Sequence, residues 1–208
     1  MGSLTGMLCD KCRNVTALEM NPVRAEVIRQ RYRTRKNLTI LAQDVNTWNT
    51  DEKFDYIIMI GVLEYAAVFT HTNNPFEDFL RKVKTLLKED GKVLIAIENR
   101  FGLKYLCGAS EDHLQKPYVG INGYKEPKTP TTFSKYELQQ MLSNVGLAKN
   151  RFDYALPDYR FPQLIYTDEY LPKFEELQKV PFTYSKGSQL TSNEKELYKD
   201  VIRSEEHT

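Results

Sequence analysis

Two short apolar runs in this chain each end on a carboxylate, with a helix-sized segment between them. Val15-Thr16-Ala17-Leu18 stops at Glu19, and Leu38-Thr39-Ile40-Leu41-Ala42-Gln43 stops at Asp44. Strands that end on acids, one helix apart, fit neighbouring strands of an open α/β sheet, where ligands bind outside the carboxyl ends. A carboxylate accepts two or more hydrogen bonds, so Glu19 can hold both hydroxyls of a ribose. The pair therefore points to an adenosine site. A Gly-containing turn, Gly2-Ser3-Leu4-Thr5-Gly6, precedes the first run.

The rest of the pattern extends this frame. A short helix is expected over 6–12, a strand over 14–19, and a helix from Asn21-Pro22 to about Tyr32, since Asn caps well and Pro suits the first turn. A strand follows over 38–43. Phe54–Gly61 is almost continuously apolar, as expected of a parallel strand covered on both faces. Apolar residues at helical spacing (Phe76, Phe79, Leu80, Val83, Leu86, Leu87) predict a helix after Asn74-Pro75. Lys88-Glu89-Asp90-Gly91 reads as a helix stop and turn, and Lys92–Ile97 as another buried strand. Alternating helices and strands predict a Rossmann-like, doubly wound, mostly parallel α/β sheet. Past Glu98 the rhythm breaks. Residues 99–132 are too long for a plain connection and are expected to be an acceptor-side insertion, a lid or disorder. Ser134 and Glu137 form a capping box for a helix to Asn144. Residues 147–172 read as a closing strand pair. The α/β domain is expected to span 1–172, with a polar tail over 173–208, partly helical at 191–203.

Composition narrows the class by exclusion. A net charge of +1 gives no global field for nucleic acid. The basic cluster Arg29–Lys36 is explained as the end of a helix, where cations complement the dipole. No apolar run approaches the length of a membrane span, and no secretory signal opens the sequence, so a cytoplasmic setting is expected. Cys9-x-x-Cys12 has no second pair or nearby His to complete a zinc set, so no metal site is expected.

These segments together resemble the class I S-adenosylmethionine-dependent methyltransferases. Gly2 corresponds to the last glycine of that family's first motif, Glu19 to the acid that binds the adenosyl ribose, and Asp44, with Val45 beside it, to the acid at the adenine. Phe54–Tyr65 is similar to the fourth-strand segment with its Gly-Val-Leu-Glu turn, and Leu86–Ile95 to the segment that follows. The resemblance implies S-adenosyl-L-methionine as cofactor, held by Gly2, Ser3, Glu19, Met20, Asp44, Val45, Ile60, Gly61 and Leu63. Segments 97–105, 108–113, 120–124, 157–159 and 166–172 are similar to a bacterial branch whose members accompany cell-surface glycosyltransferases. That implies a small-molecule or saccharide acceptor and a glycosyltransferase association. The family's first strand and two of its glycines have no counterpart here, so an N-terminally truncated chain, short of its first strand, is expected.

Methyl transfer asks the protein to align an acceptor with the sulfonium and, for a hydroxyl, to remove a proton. Glu98, at a strand end, and His113, in the long loop, are the favoured candidate bases; Glu111 and Asp112 are further candidates. Tyr105, Tyr118 and Tyr124 are candidate sugar-stacking faces or loop packing, and Trp48 a neighbour of adenine or a loop anchor. Two alternatives stand beside this reading. A strand-end acid also binds the ribose of a nicotinamide cofactor in an oxidoreductase, and a chain without its first strand could be a non-catalytic Rossmann-like fragment.

Overall fold

The structure, a computed structural model, describes residues 2–173 together with 176 and 197; the expected helical tail otherwise lies outside the described residues. The chain forms two compact units, residues 1–54 and 55–208.

The first unit is a helix–strand–helix–strand unit: α1 (Thr5–Lys11), β1 (Val15–Leu18), α2 (Pro22–Arg31) and β2 (Leu38–Leu41). β1 and β2 pair in parallel, with Val15 opposite Leu38 and Leu18 opposite Leu41. The Asn21 side chain accepts the N–H groups of Val23 and Arg24, and Pro22 occupies the first helical turn. Arg29 and Arg31 close α2, as its dipole favours. Ala25 and Ile28 are the buried residues of α2. Residues 5–11 are helical, and no strand precedes β1 among the described residues.

The second unit contains β3 (Phe54–Ile60), a 3-10 turn at Leu63–Tyr65, α3 (Ala66–Phe69), α4 (Pro75–Thr85), β4 (Leu87–Ala96), α5 (Leu103–Leu106), α6 (Lys135–Asn144), β5 (Asp153–Leu156) and β6 (Leu164–Thr167). β3 pairs with β4. Lys88 meets Asp55 at one end and the Gly61 N–H donates to the Ala96 carbonyl at the other, so the two strands run the same way. α4 buries Phe79, Leu80 and Val83, each contributing roughly 1.5–3 kcal/mol. Its exposed face is laced by Arg81 with Glu77 and Asp78. β5 and β6 pair antiparallel, as the expected closing pair.

The fold class is as the sequence predicts, an α/β chain with parallel pairing and helical connections, although the described strands pair two by two. One local expectation fails. Lys88-Glu89-Asp90-Gly91 is not a turn but the first half of β4. α4 has already ended at Thr85, whose hydroxyl donates to the Lys82 carbonyl, and the Lys88–Asp55 pair, at 2.8 Å, lies across the two strands. No helix among the described residues is long and apolar enough to cross a membrane.

Candidate active site

In the first unit both strand-end acids are half-buried and satisfied by nearby backbone. The Glu19 N–H donates to the Leu41 carbonyl, the next rung of the parallel ladder, and its Oε1 accepts the Asn21 N–H at 2.9 Å. The acid thus holds the residue that caps α2. Asp44 Oδ1 accepts the Asn46 N–H at 2.9 Å and its amide at 3.0 Å. Met20 and Ser3 are exposed and Val45 is half-buried. Gly2 has φ +65°, and a Cβ there would sit 3.2 Å from both Ile28 and Tyr32. Its carbonyl accepts the Tyr32 hydroxyl at 2.6 Å. This glycine therefore serves close packing on α2. Trp48 is buried and tilts against Phe54 at 5.9 Å, which makes it a loop anchor.

In the second unit β3 ends at Ile60, and Gly61 turns the chain with φ +63°. A Cβ on Gly61 would meet the Tyr159 hydroxyl at 3.1 Å and Glu64 Oε1 at 3.4 Å. Leu63 is 1% exposed and anchors the turn in the core. The same turn carries Glu64 inward, also to 1% exposure.

Residues 99–132 do not behave as a plain loop. Isolated bridges join Asn99 to Phe133 and Ser110 to Pro117. The Thr131 N–H donates to the Glu64 carbonyl at 2.8 Å, and Arg100 clasps the Gly120 carbonyl through Nε and Nη2. Tyr105, Cys107, Ala109, Glu111 and Thr132 are buried. The segment is a packed knot around polar groups.

This packing brings the two sequence-predicted bases together. Donor atoms of Glu98, His113 and Glu64 lie within 4.8 Å of one another. The Glu111 carboxylate fixes His113 from behind: Oε1 lies 2.9 Å from Nδ1, and Oε2 accepts the N–H groups of His113 (2.8 Å) and Leu114 (2.6 Å). Nε2 is left facing Glu64 Oε1 at 3.7 Å, an ion-pair distance too long for a hydrogen bond. The edge of the Tyr65 ring meets the imidazole at 5.2 Å. Outside this cluster, Arg160 grips Asp158 at 2.6 Å and reaches Asp112 at 3.5 Å and Glu98 at 3.7 Å. Lys104 bonds Asp112 at 2.7 Å, and the Tyr105 hydroxyl donates to the same carboxylate.

The electrostatics set the roles apart. Burial disfavours a charged His113, but the hydrogen bond to Glu111, the Glu64 carboxylate facing Nε2 and the surrounding carboxylates outweigh it and push the imidazole up to about 10. At neutral pH His113 is thus a cation, with no lone pair to take a proton. Glu98 moves the other way from the ordinary carboxylate: burial is the main cause of its raised value, with Glu64 adding to it. A buried carboxylate of raised basicity suits a proton acceptor. Glu111 sits below the usual range because hydrogen bonds from His113 and two backbone N–H groups overcome its burial. Of the tyrosines, Tyr105 is committed to Asp112 and Tyr124 bonds Thr132 at 2.7 Å, so both are loop packing, whereas Tyr118 is exposed. His71 is exposed.

Sequence reasoning passed over Glu64, although the Gly-Val-Leu-Glu turn carried it, and took Glu111 as a spare base where it is the anchor of His113. The Glu111-x-His113 spacing was the available signal for the anchor. Nothing in the linear pattern marked Arg160, and Asp158 entered only within the segment 157–159 of the resemblance, with no role attached.

The comparisons with known proteins agree on the fold. The model of a methyltransferase domain family matches residues 1–93, just under half of the chain. An S-adenosylmethionine-dependent methyltransferase from Clostridium acetobutylicum is similar in structure, with 17% identity over 69% of this chain and 68% of that one and a TM-score of 0.53. The 1,6-didemethyltoxoflavin-N1-methyltransferase of Burkholderia thailandensis is 17% identical over 80% of this chain and 64% of that one, with a TM-score of 0.50. The chain spans about half (54%) of the N-methyltransferase NodS from Bradyrhizobium japonicum, at 18% identity and a TM-score of 0.43 over 48% of its own length. No curated protein sequence matches. The fold is the Rossmann-like fold of the class I S-adenosylmethionine-dependent methyltransferases.

Proposed function

We propose that this chain is a S-adenosylmethionine-dependent methyltransferase acting on a small-molecule or glycan-linked acceptor. The observation that carries the reading is the methyltransferase-domain match over residues 1–93. Within it, Glu19 and Asp44 stand at the carboxyl ends of a parallel strand pair. Glu19 accepts the ribose hydroxyls and Asp44 the adenine amino group. The sulfonium of the cofactor supplies the activated methyl group; Glu98 takes the proton of an acceptor hydroxyl, and His113, held by Glu111, positions the surrounding carboxylates. The saccharide acceptor, the glycosyltransferase association and the cytoplasmic setting rest on the sequence resemblance and composition. Similarity to solved methyltransferases favours this reading over a nicotinamide-dependent one.

Calorimetric titration with S-adenosylhomocysteine tests it. Saturable binding of one equivalent, with no binding of NAD, is the expected result. A folded chain that ignores S-adenosylhomocysteine overturns the reading.

A further inference from the structure

The buried cluster poses a problem that the methyltransferase reading leaves unsolved. Glu64 is 1% exposed and Glu98 is 8% exposed. The Oε2 atoms of both are buried and have no hydrogen-bond partner. A buried carboxylate oxygen without a partner is costly, and buried acids are ordinarily paired or bound to metal. The local charges do not close either. Glu64, Glu98, Glu111, Asp112 and Asp158 are joined by ion-pair contacts to the cations His113, Lys104 and Arg160. Five carboxylates against three cations leave two negative charges unmatched, even with the imidazole protonated.

The geometry points to a divalent-cation site: Glu64, Glu98 and His113 Nε2 are the ligands of one first-row transition ion of the Mn2+ or Zn2+ kind. Their donor atoms converge within 4.8 Å of one another, and Nε2 already stands 3.7 Å from Glu64 Oε1. Bonds of about 2.0–2.2 Å to one ion hold neighbouring donors roughly 3–3.5 Å apart, so small side-chain adjustments close the set. The support behind the histidine is what a metal ligand needs. Glu111 takes Nδ1 and is itself pinned by two backbone N–H groups, so the proton that a metal would displace is the one on Nε2. One imidazole and two carboxylates favour a transition ion over Mg2+, which prefers oxygen alone. Binding through Nε2 displaces the imidazole proton, so an ion of charge +2 lowers the unmatched negative charge from two to one and releases one proton. Arg160, whose side chain is 42% exposed, reaches Glu98 at 3.7 Å. An acceptor oxygen on such an ion would lose its proton more readily, but the site itself does not depend on the methyltransferase reading.

The test uses the whole chain, stripped with EDTA and dialysed, then titrated with Mn2+ under electron paramagnetic resonance and with Zn2+ by calorimetry. One ion per chain is expected, with Mg2+ a poor competitor. Glu64→Gln and Glu98→Gln each weaken Mn2+ binding by more than about 100-fold, and Glu111→Gln by about 10–100-fold through the loosened imidazole. Lys135→Ala, at an exposed pair with Asp168, leaves it unchanged. If a variant does not fold, the unaltered chain still decides the matter. It has three histidines, and substoichiometric Mn2+ must broaden the His113 imidazole resonances before those of His71 and His207. Absence of binding, equal binding by both Gln variants, or broadening centred on another histidine overturns the site. S-adenosylhomocysteine binding is measured on the same sample; its failure alone sinks the methyltransferase reading and leaves the ion site standing.

Discussion

The acids of residues 1–54 and those of the second unit solve opposite problems. Glu19 and Asp44 are half-buried and reach nearby backbone N–H groups, so their charge costs little and their remaining oxygens can serve a ligand. Glu64, Glu98 and Glu111 are buried, and their charges must be met by neighbours. The first kind of site is local: a strand end, a cap and a turn build it. The second is assembled by residues 99–132, which bring Glu111 and His113 to Glu64, just after β3, and Glu98, just after β4. The comparison teaches that two carboxylate sites in one chain can differ completely in how much of the fold stands behind them.

That contrast predicts a large effect first. Removing His113 leaves Glu64 and Glu111 buried without their shared cation, and breaking a buried pair by deleting one partner costs about 3–5 kcal/mol. Urea unfolding of His113→Ala in EDTA should show that loss, with Glu64→Gln in the same chain recovering part of it. A loss under about 1 kcal/mol would mean that the cluster is wetter than its burial indicates, and the contrast would fail.

The next effect belongs to the first unit and appears in binding rather than folding. On the proposed role of Glu19 at the ribose, Glu19→Ala should weaken S-adenosylhomocysteine binding by about 1–3 kcal/mol. Its stability should change by no more than about 1 kcal/mol, because the lost interaction is one N–H bond from Asn21. Calorimetry and urea unfolding on the same variant separate the two. Unchanged affinity would remove Glu19 from the site.

The same difference explains what the sequence could and could not reveal. The parallel pair β1–β2, the cap at Asn21-Pro22, the strand at 54–60, the α4 stripe and the Ser134 box were all legible, because period, cap chemistry and turn chemistry are short-range. Glu98 and His113 were legible as candidate bases from residue type and position. Their company was not. α3, α4 and β4 separate Glu64 from Glu98, and α5 separates Glu98 from His113, so no linear spacing brings them together. The reversal of His113 from base to cation follows from Glu111 and Glu64 facing its two nitrogens, which is a property of the folded insertion. The misread turn at 88–91 has the same origin: Lys88 is drawn into β4 beside a partner on another strand.

Helix caps give a smaller, sharper test. Ser134 accepts the Glu137 N–H at 3.2 Å, and the Glu137 carboxylate accepts the Ser134 N–H at 2.8 Å, while Arg100 ties Glu137 to the insertion. Ser134→Ala should cost about 1 kcal/mol by urea unfolding. Asn21→Ala in the first unit should cost a similar amount, since its side chain accepts the N–H groups of Val23 and Arg24. A much larger loss at Ser134 would mean that the cap also orders the insertion.

The smallest effect is one of pH. Burial disfavours the Glu137 charge, but the Ser134 N–H and hydroxyl and the Arg100 guanidinium outweigh it, so its carboxyl lies below the ordinary value. A carboxyl lowered on folding stabilises the protein above its unfolded pKa of about 4.3, and that contribution disappears as pH falls through the lower folded value. The α6 amide signals should therefore hold their positions down to about pH 4.3 and shift below it. In Arg100→Gln the same shifts should begin at higher pH, because one of the groups favouring the charged form is gone. Coincident midpoints in the two proteins would show that the cap alone sets the Glu137 titration and that the insertion contributes nothing to it.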